Sequence, residues 1–187
     1  MSEWKKVRIG DFLIESKILS EKSDAEHRIT VRLNCKGVEQ REIKVEKEGA
    51  TKYYVRKAGQ FIYGKQNIHK GAFGIIPQSL DGFTSSSDLP AFDIDKTKCV
   101  PDWICLYLKS DDYYKKLEKL ITGVGSKRLS VEKFLEIEIP LPDLQVQKEI
   151  IGRISSIELL EAEIRKQQNY IGELKQNLLR EVFEEAL

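Results

Sequence analysis

From Asp143 onward the apolar positions follow a seven-residue rhythm: Ile150, Ile157, Ile164, Ile171 and Leu178, with Leu160 and Leu174 three places after two of them. This is a and d spacing over about four heptads, and it predicts one long helix over 143–187 with a coiled-coil seam. Gln167 takes a d position, where one polar residue can fix register. Gly172 is a poor helix former inside the run, at ~1 kcal/mol relative to alanine. At helical rise the rod is roughly 65 Å long, longer than a small domain is wide. A seam of that length calls for a second helix. Ile at a with Leu at d favours a parallel pair.

Upstream the period changes. Trp4 to Ser16 reads as a short entry strand, a turn and a second short strand, and His27 to Leu33 alternates polar and apolar residues as a half-buried strand does. Tyr53-Tyr-Val and Gln60-Phe-Ile-Tyr-Gly suggest two strands around Lys57-Ala-Gly, and Gly71 to Pro77 suggests another. The turn Leu80-Asp-Gly-Phe leads toward a strand at Ala91 to Asp95. Pro101 to Leu108 predicts a helix with Asp102 at its positive end, and Tyr113 to Ile121 a second. Ser130-Val-Glu-Lys resembles a helix cap, and Phe134 to Ile139 alternates as a last strand before Pro140 and Pro142. The expected fold is α+β: a mostly β globular domain over residues 1–142 with short helices, a hinge at the prolines, then a long C-terminal α-helix over 143–187 that forms a coiled coil.

Composition changes this picture little. The 187 residues are 41% apolar and 33% charged, enough apolar content for a core. No run approaches the ~18–20 apolar residues of a membrane span, and the first residues hold no apolar signal core. Cys35, Cys99 and Cys105 are odd in number and form no CxxC pair, which points to free thiols in a reducing, cytoplasmic setting. Charge is more informative. Of 31 basic and 30 acidic residues the stretch 143–187 holds 6 and 9, so 25 and 21 fall in residues 1–142. The globular part is mildly basic, which permits a nucleic-acid partner.

Catalytic chemistry is hard to assemble. His27 and His69 have no Cys or His at ligand spacing, so no metal site is expected. Gly123 and Gly125 lack the rest of a dinucleotide fingerprint, and no phosphate-loop lysine, nucleophile elbow or Asn-Pro-Pro-Tyr motif is present. Asp143 and the Glu173-Leu-Lys175 pair stand about 45 Å apart at helical rise, too far for one metal. The sequence argues against an enzyme and implies no cofactor.

Binding chemistry is richer. Lys65-Gln66-Asn67-Ile68-His69-Lys70 gathers cations, amides and an imidazole in one loop. Asn and Gln pair bidentately with adenine edges, and Lys with guanine or phosphate. Ser85, Ser86 and Ser87 add short hydroxyls, and Ser126, Lys127 and Arg128 follow Gly125 as a phosphate clamp.

Taken with Trp4-Lys-Lys-Val-Arg-Ile-Gly-Asp, Tyr54-Val-Arg-Lys-Ala-Gly-Gln-Phe-Ile-Tyr, Gly71-Ala-Phe-Gly-Ile-Ile-Pro and above all Ile137-Glu-Ile-Pro-Leu-Pro-Asp-Leu-Gln-Val-Gln-Lys-Glu-Ile-Ile, the chain resembles the specificity subunit of type I restriction-modification systems. The resemblance covers a target-recognition domain and one conserved helix. It implies a non-catalytic protein that binds double-stranded DNA and directs methyltransferase (M) and restriction nuclease (R) subunits. Full subunits of that family carry two such domains and two helices paired antiparallel, each domain reading half of an interrupted target. One domain and one helix make this chain similar to a half-subunit, so a homodimer through antiparallel helices, reading an interrupted palindrome, is the expectation. That direction conflicts with the parallel preference of the seam. The alternative is an accessory or decoy protein that does not bind DNA and occupies the methyltransferase subunit through its helix.

Overall fold

The structure, a computed structural model, describes residues 4–21, 25–42, 51–122 and 127–184. It is organised around a strand with no exposed face. Phe61, Ile62 and Tyr63 are each 0% exposed, and alternation along the strand sends them to opposite sides. Phe61 and Tyr63 join Phe73, Phe92 and Phe134 in an aromatic cluster, with Phe61 and Phe134 stacked at 5.6 Å. Ile62 packs the other way, with Ile29, Val31, Ala72, Ile76, Leu80 and Ala91. A strand buried on both faces reads as a continuous apolar run, as Gln60-Phe-Ile-Tyr-Gly does.

The strands in chain order are β1 (Lys6–Arg8), β2 (Leu13–Ser16), β3 (Ile29–Val31), β4 (Val38–Gln40), β5 (Tyr53–Val55), β6 (Phe61–Tyr63), β7 (Phe73–Ile75), β8 (Thr84–Ser86), β9 (Ala91–Ile94) and β10 (Glu138–Pro140). Four form an antiparallel sheet in the order β2-β9-β6-β7, with Phe61 opposite both Phe92 and Ile75. The rest pair as antiparallel ribbons: β1 with β10, β3 with β4, β5 with β8. The helices are α1 (Pro101–Lys109), α2 (Tyr113–Lys116), α3 (Val131–Leu135) and α4 (Leu144–Glu184). The fold is α+β with a long C-terminal helix, as the pattern predicts.

Three local expectations change. Phe134 lies on α3 and not in the last strand, because Ser130 caps that turn by accepting from the Lys133 N–H at 3.3 Å. The cap sends Phe134 into the aromatic cluster, and the strand begins only at Glu138. The helix expected over 113–121 is one α turn followed by a 3-10 turn at Leu117–Leu120. Ser85 and Ser86 belong to a strand that the sequence reading did not assign.

The described chain divides into two compact units, Met1–Gln147 and Lys148–Leu187. The boundary lies inside α4, five residues later than the proline step suggests. The cause is Gln147, which is 0% exposed. Its Nε2 donates to the Pro142 carbonyl at 2.8 Å and the Lys98 carbonyl at 2.9 Å, while its Oε1 accepts from the Val100 N–H at 2.8 Å. Asp143 caps the same turn by accepting from the Val146 N–H at 2.9 Å. The first turn of α4 is thereby bolted to the segment that leads into α1. Further along, α4 runs through both Gly172 and Gly152, a second glycine that the heptad reading passes over.

Candidate nucleic-acid interface

The loop between β6 and β7 is built backward from Gly71. Its φ of 78° closes the 3-10 turn Ile68–Lys70, and a Cβ there would stand 2.7 Å from the Cys35 amide nitrogen. Only glycine combines that dihedral with that approach. The Asn67 carbonyl accepts from the N–H groups of Lys70 and Ala72, and Ile68, 0% exposed, anchors the loop in the core. Gln66 and Lys70 are exposed, whereas Lys65, Asn67 and His69 are half-buried. The Nδ1 of His69 is buried and has no hydrogen-bond partner among the described residues.

The expected binding segments, scattered over about sixty residues, meet here. The Lys65 N–H donates to the Asp88 carbonyl at 3.0 Å, and the Leu129 N–H donates to the Lys65 carbonyl at 2.8 Å. Arg128 forks onto the Asp88 carboxylate, with Nε and Nη2 each 3.1 Å from an oxygen. Thr122 and Arg128 exchange both backbone hydrogen bonds, at 3.0 and 3.2 Å. The Arg128–Asp88 pair is exposed, so it contributes less than ~1 kcal/mol to stability and acts mainly to hold the segments in place.

The individual residues sort unequally. Ser87, Lys127 and Arg128 are exposed and Ser86 is half-buried. Ser85 is 2% exposed, and its hydroxyl accepts from Arg56 Nε at 2.7 Å and donates to the Leu89 carbonyl at 2.8 Å. It is part of the interior, not of the surface the three serines suggested, because the buried Arg56 guanidinium and the Leu89 carbonyl hold its hydroxyl. Ser126 lies outside the described residues.

What the sequence reading missed is Arg56. It is 1% exposed, with Nη1 donating to the Ser16 carbonyl at 2.8 Å and Nη2 to the Leu89 carbonyl at 3.1 Å. Burial lowers its pKa to about 10. Hydropathy carries no signal for it, because arginine is among the residues least often buried. Among the described residues no group of three or more His, Cys, Asp or Glu is placed to hold a metal ion.

The second unit is a single helical span. Ile157, Leu160, Ile164, Ile171, Leu174 and Leu178 are between 49% and 65% exposed, while Ile150 is half-buried. Gln167 Nε2 donates to Glu163 Oε1 at 3.4 Å on the same helix. Leu159, Tyr170, Leu179, Val182 and Phe183 add exposed apolar surface outside the seam. No helix of the described residues is long and apolar enough to cross a membrane.

A family model described as type I restriction modification DNA specificity domain matches residues 1–171. The chain belongs to that family. The specificity domain is 32% identical over 87 residues to the type I restriction enzyme MjaVIII specificity subunit of Methanocaldococcus jannaschii, a match that covers 46% of this chain and 20% of that protein. Its fold is that of the HsdS subunit from Thermoanaerobacter tengcongensis, with a TM-score of 0.65 at 15% identity over 88% of this chain and 44% of that one. A chain from a structure of complex assembly in the type I R-M system gives a TM-score of 0.62 at 14% identity, covering 89% and 45%. The specificity domain thus spans less than half the length of each of these relatives.

Proposed function

We propose that this chain selects the DNA sequence on which a type I restriction-modification complex acts, reading one half of a bipartite target and having no catalytic step of its own. The observation that carries this is the convergence of the 65–70, 86–88 and 127–129 segments, tied by Lys65, Asp88, Arg128 and Leu129, in a chain of the specificity-domain family. Base-reading amides at Gln66 and Asn67 then stand on the same framework as phosphate-binding cations at Lys127 and Arg128, the division of labour that DNA recognition uses. Lys65 and Lys70 supply the cations of the loop, with the His69 imidazole between them in sequence. M and R subunits are its partners; the support is that the relatives are named as a subunit of a type I restriction enzyme and a chain of a type I R-M system.

Two copies pair through α4 with antiparallel helices, using Ile150, Ile157, Leu160, Ile164, Gln167, Ile171, Leu174 and Leu178. The support is the row of exposed apolar positions on a helix that covers no core of its own over most of its length. The apolar positions outside the seam suit the methyltransferase subunit as a second helical partner. A two-fold pair reads an interrupted palindrome.

Mapping methylated bases in cells with and without the chain tests the function directly: a motif present only with it, in two half-sites, is expected. In vitro, Lys127→Ala with Arg128→Ala lowers affinity for every duplex and flattens the salt slope by roughly 2, about 0.9 for each phosphate no longer neutralised. Changes at Gln66 or Asn67 shift sequence preference instead. A chain that binds no duplex yet captures the methyltransferase subunit would establish the decoy reading in place of this one.

A further inference from the structure

The ribbon of β3 and β4 ends against the 65–70 loop. Val31 stands opposite Val38. The Arg32 N–H donates to the Gly37 carbonyl at 2.9 Å and the Lys36 N–H to the Leu33 carbonyl at 3.3 Å, which leaves Asn34 and Cys35 as a two-residue tip. Both have positive φ, 58° and 57°, the pattern of a type I′ hairpin turn. The tip is tied to the loop through main-chain atoms. The Asn34 N–H donates to the Lys70 carbonyl at 2.8 Å, and the Cys35 N–H donates to the Gly71 carbonyl at 2.9 Å. Whatever the 65–70 loop faces, the tip stands beside it.

The side chains of the tip divide. Cys35 is half-buried, its Sγ 3.0 Å from where a Cβ on Gly71 would stand. Asn34 and Lys36 are exposed, and Leu33 is 42% exposed. Asparagine is common at positive φ because its short side chain bonds nearby backbone. Here the Asn34 amide makes no hydrogen bond among the described residues, so the turn does not consume it. The acids of the ribbon are already engaged: Glu39 and Glu42 both face Arg32. Of the charges that reach the Cys35 thiol, Asp112 and Lys115 are paired at 2.6 Å, and Lys109 is left over. Lys36 and Lys70 hold no ion pair among the described residues. The surface around the tip is therefore basic, with one uncommitted amide on it.

We propose, on the strength of the DNA-recognition reading above, that the β3–β4 tip is a second base-reading element of the specificity domain, with Asn34 pairing to an adenine edge and Lys36 holding a phosphate beside it. The major groove admits a two-stranded β-ribbon, and an asparagine amide bonds adenine N6 and N7 together. Leu33 next to it offers apolar contact of the kind that a thymine methyl takes. Tip and loop then read the same half-site, because Lys70 and Gly71 belong to both.

The full chain and its variants are used to select duplexes from a randomised pool, and the bound sequences are read, with thermal melts to verify folding. Asn34→Gly suits the positive φ and removes only the amide; Asn34→Asp keeps the shape but can no longer donate to adenine N7, and accepts from cytosine N4 instead. Asn34→Gly should lower discrimination at one base pair of the half-site roughly 10-fold or more and leave the other positions alone. Asn34→Asp should move the preference at that same position from adenine toward cytosine. Lys36→Ala should keep the motif while reducing the salt slope by about 1. If both Asn34 variants return the parent motif at every position, while Gln66→Ala alters it, the tip is not a reader and the DNA-recognition reading stands. A chain that enriches no sequence from the pool overturns both.

Discussion

Replacing Gln147 with alanine should destabilise the globular unit far more than its place on the first turn of a long helix suggests. The side chain makes three hydrogen bonds, to Pro142, Lys98 and Val100, and is fully buried. Each contributes ~1 kcal/mol net, and the Val100 N–H left without its acceptor adds ~1 kcal/mol more. The expected loss is about 4 kcal/mol, a large fraction of the ~5–15 kcal/mol by which domains are stable. With a urea m-value of ~2 kcal/mol/M, the midpoint should fall by about 2 M. The assay is built into the sequence: the two tryptophans, Trp4 and Trp103, both lie in the unit ending at Gln147. Tryptophan fluorescence therefore follows that unit, whereas far-UV circular dichroism also follows α4. Asp143→Ala, which removes one capping bond, should cost only ~1 kcal/mol. A midpoint shift below ~0.5 M for Gln147→Ala, or a larger effect from Asp143→Ala, would refute the assignment of Gln147 as the bolt.

Gly71→Ala should cost about 2–3 kcal/mol in a thermal melt, since alanine meets both the positive φ and the Cys35 backbone. Asp88→Ala should change stability by less than ~1 kcal/mol yet raise affinity for all duplexes a few-fold in fluorescence anisotropy, because it removes a negative charge and releases Arg128. Ile164→Asp with Ile171→Asp should turn a dimer into a monomer in sedimentation at micromolar concentration. Four buried apolar side chains removed per pair, at ~1.5 kcal/mol or more each, weaken association by roughly ten-thousandfold or more; an unchanged mass would refute antiparallel pairing through this seam.

The features legible in the sequence were those with a period. The seven-residue rhythm marks α4, and the unbroken Phe61-Ile62-Tyr63 run marks the central strand. Punctuation was legible at Ser130, which sits at the cap its type suggests; Gly71, read as the start of a strand, instead closes the turn before it. What escaped were side chains whose role depends on partners distant in sequence. Arg56 meets Ser16 and Ser85 across separations of 40 and 29 residues, and Gln147 meets Lys98 across 49. Polarity alone assigns such residues to the surface. Ser85 shows the same error reversed, a hydroxyl read as available that an interior guanidinium already holds. Of the binding segments, the members were recognisable but their meeting was not, since Asp88 carries no mark of its role as their common anchor.

That anchor has a consequence for engineering. The segments at 65–70, 86–88 and 127–129 are bonded to one another through main-chain atoms at Lys65, Asp88 and Leu129, so no loop can be exchanged without resetting its neighbours. Specificity of this architecture is inherited as a cassette: a chimera that transplants one loop should lose affinity before it gains a new preference, whereas one carrying Ile29 through Leu129 intact should transfer its preference whole.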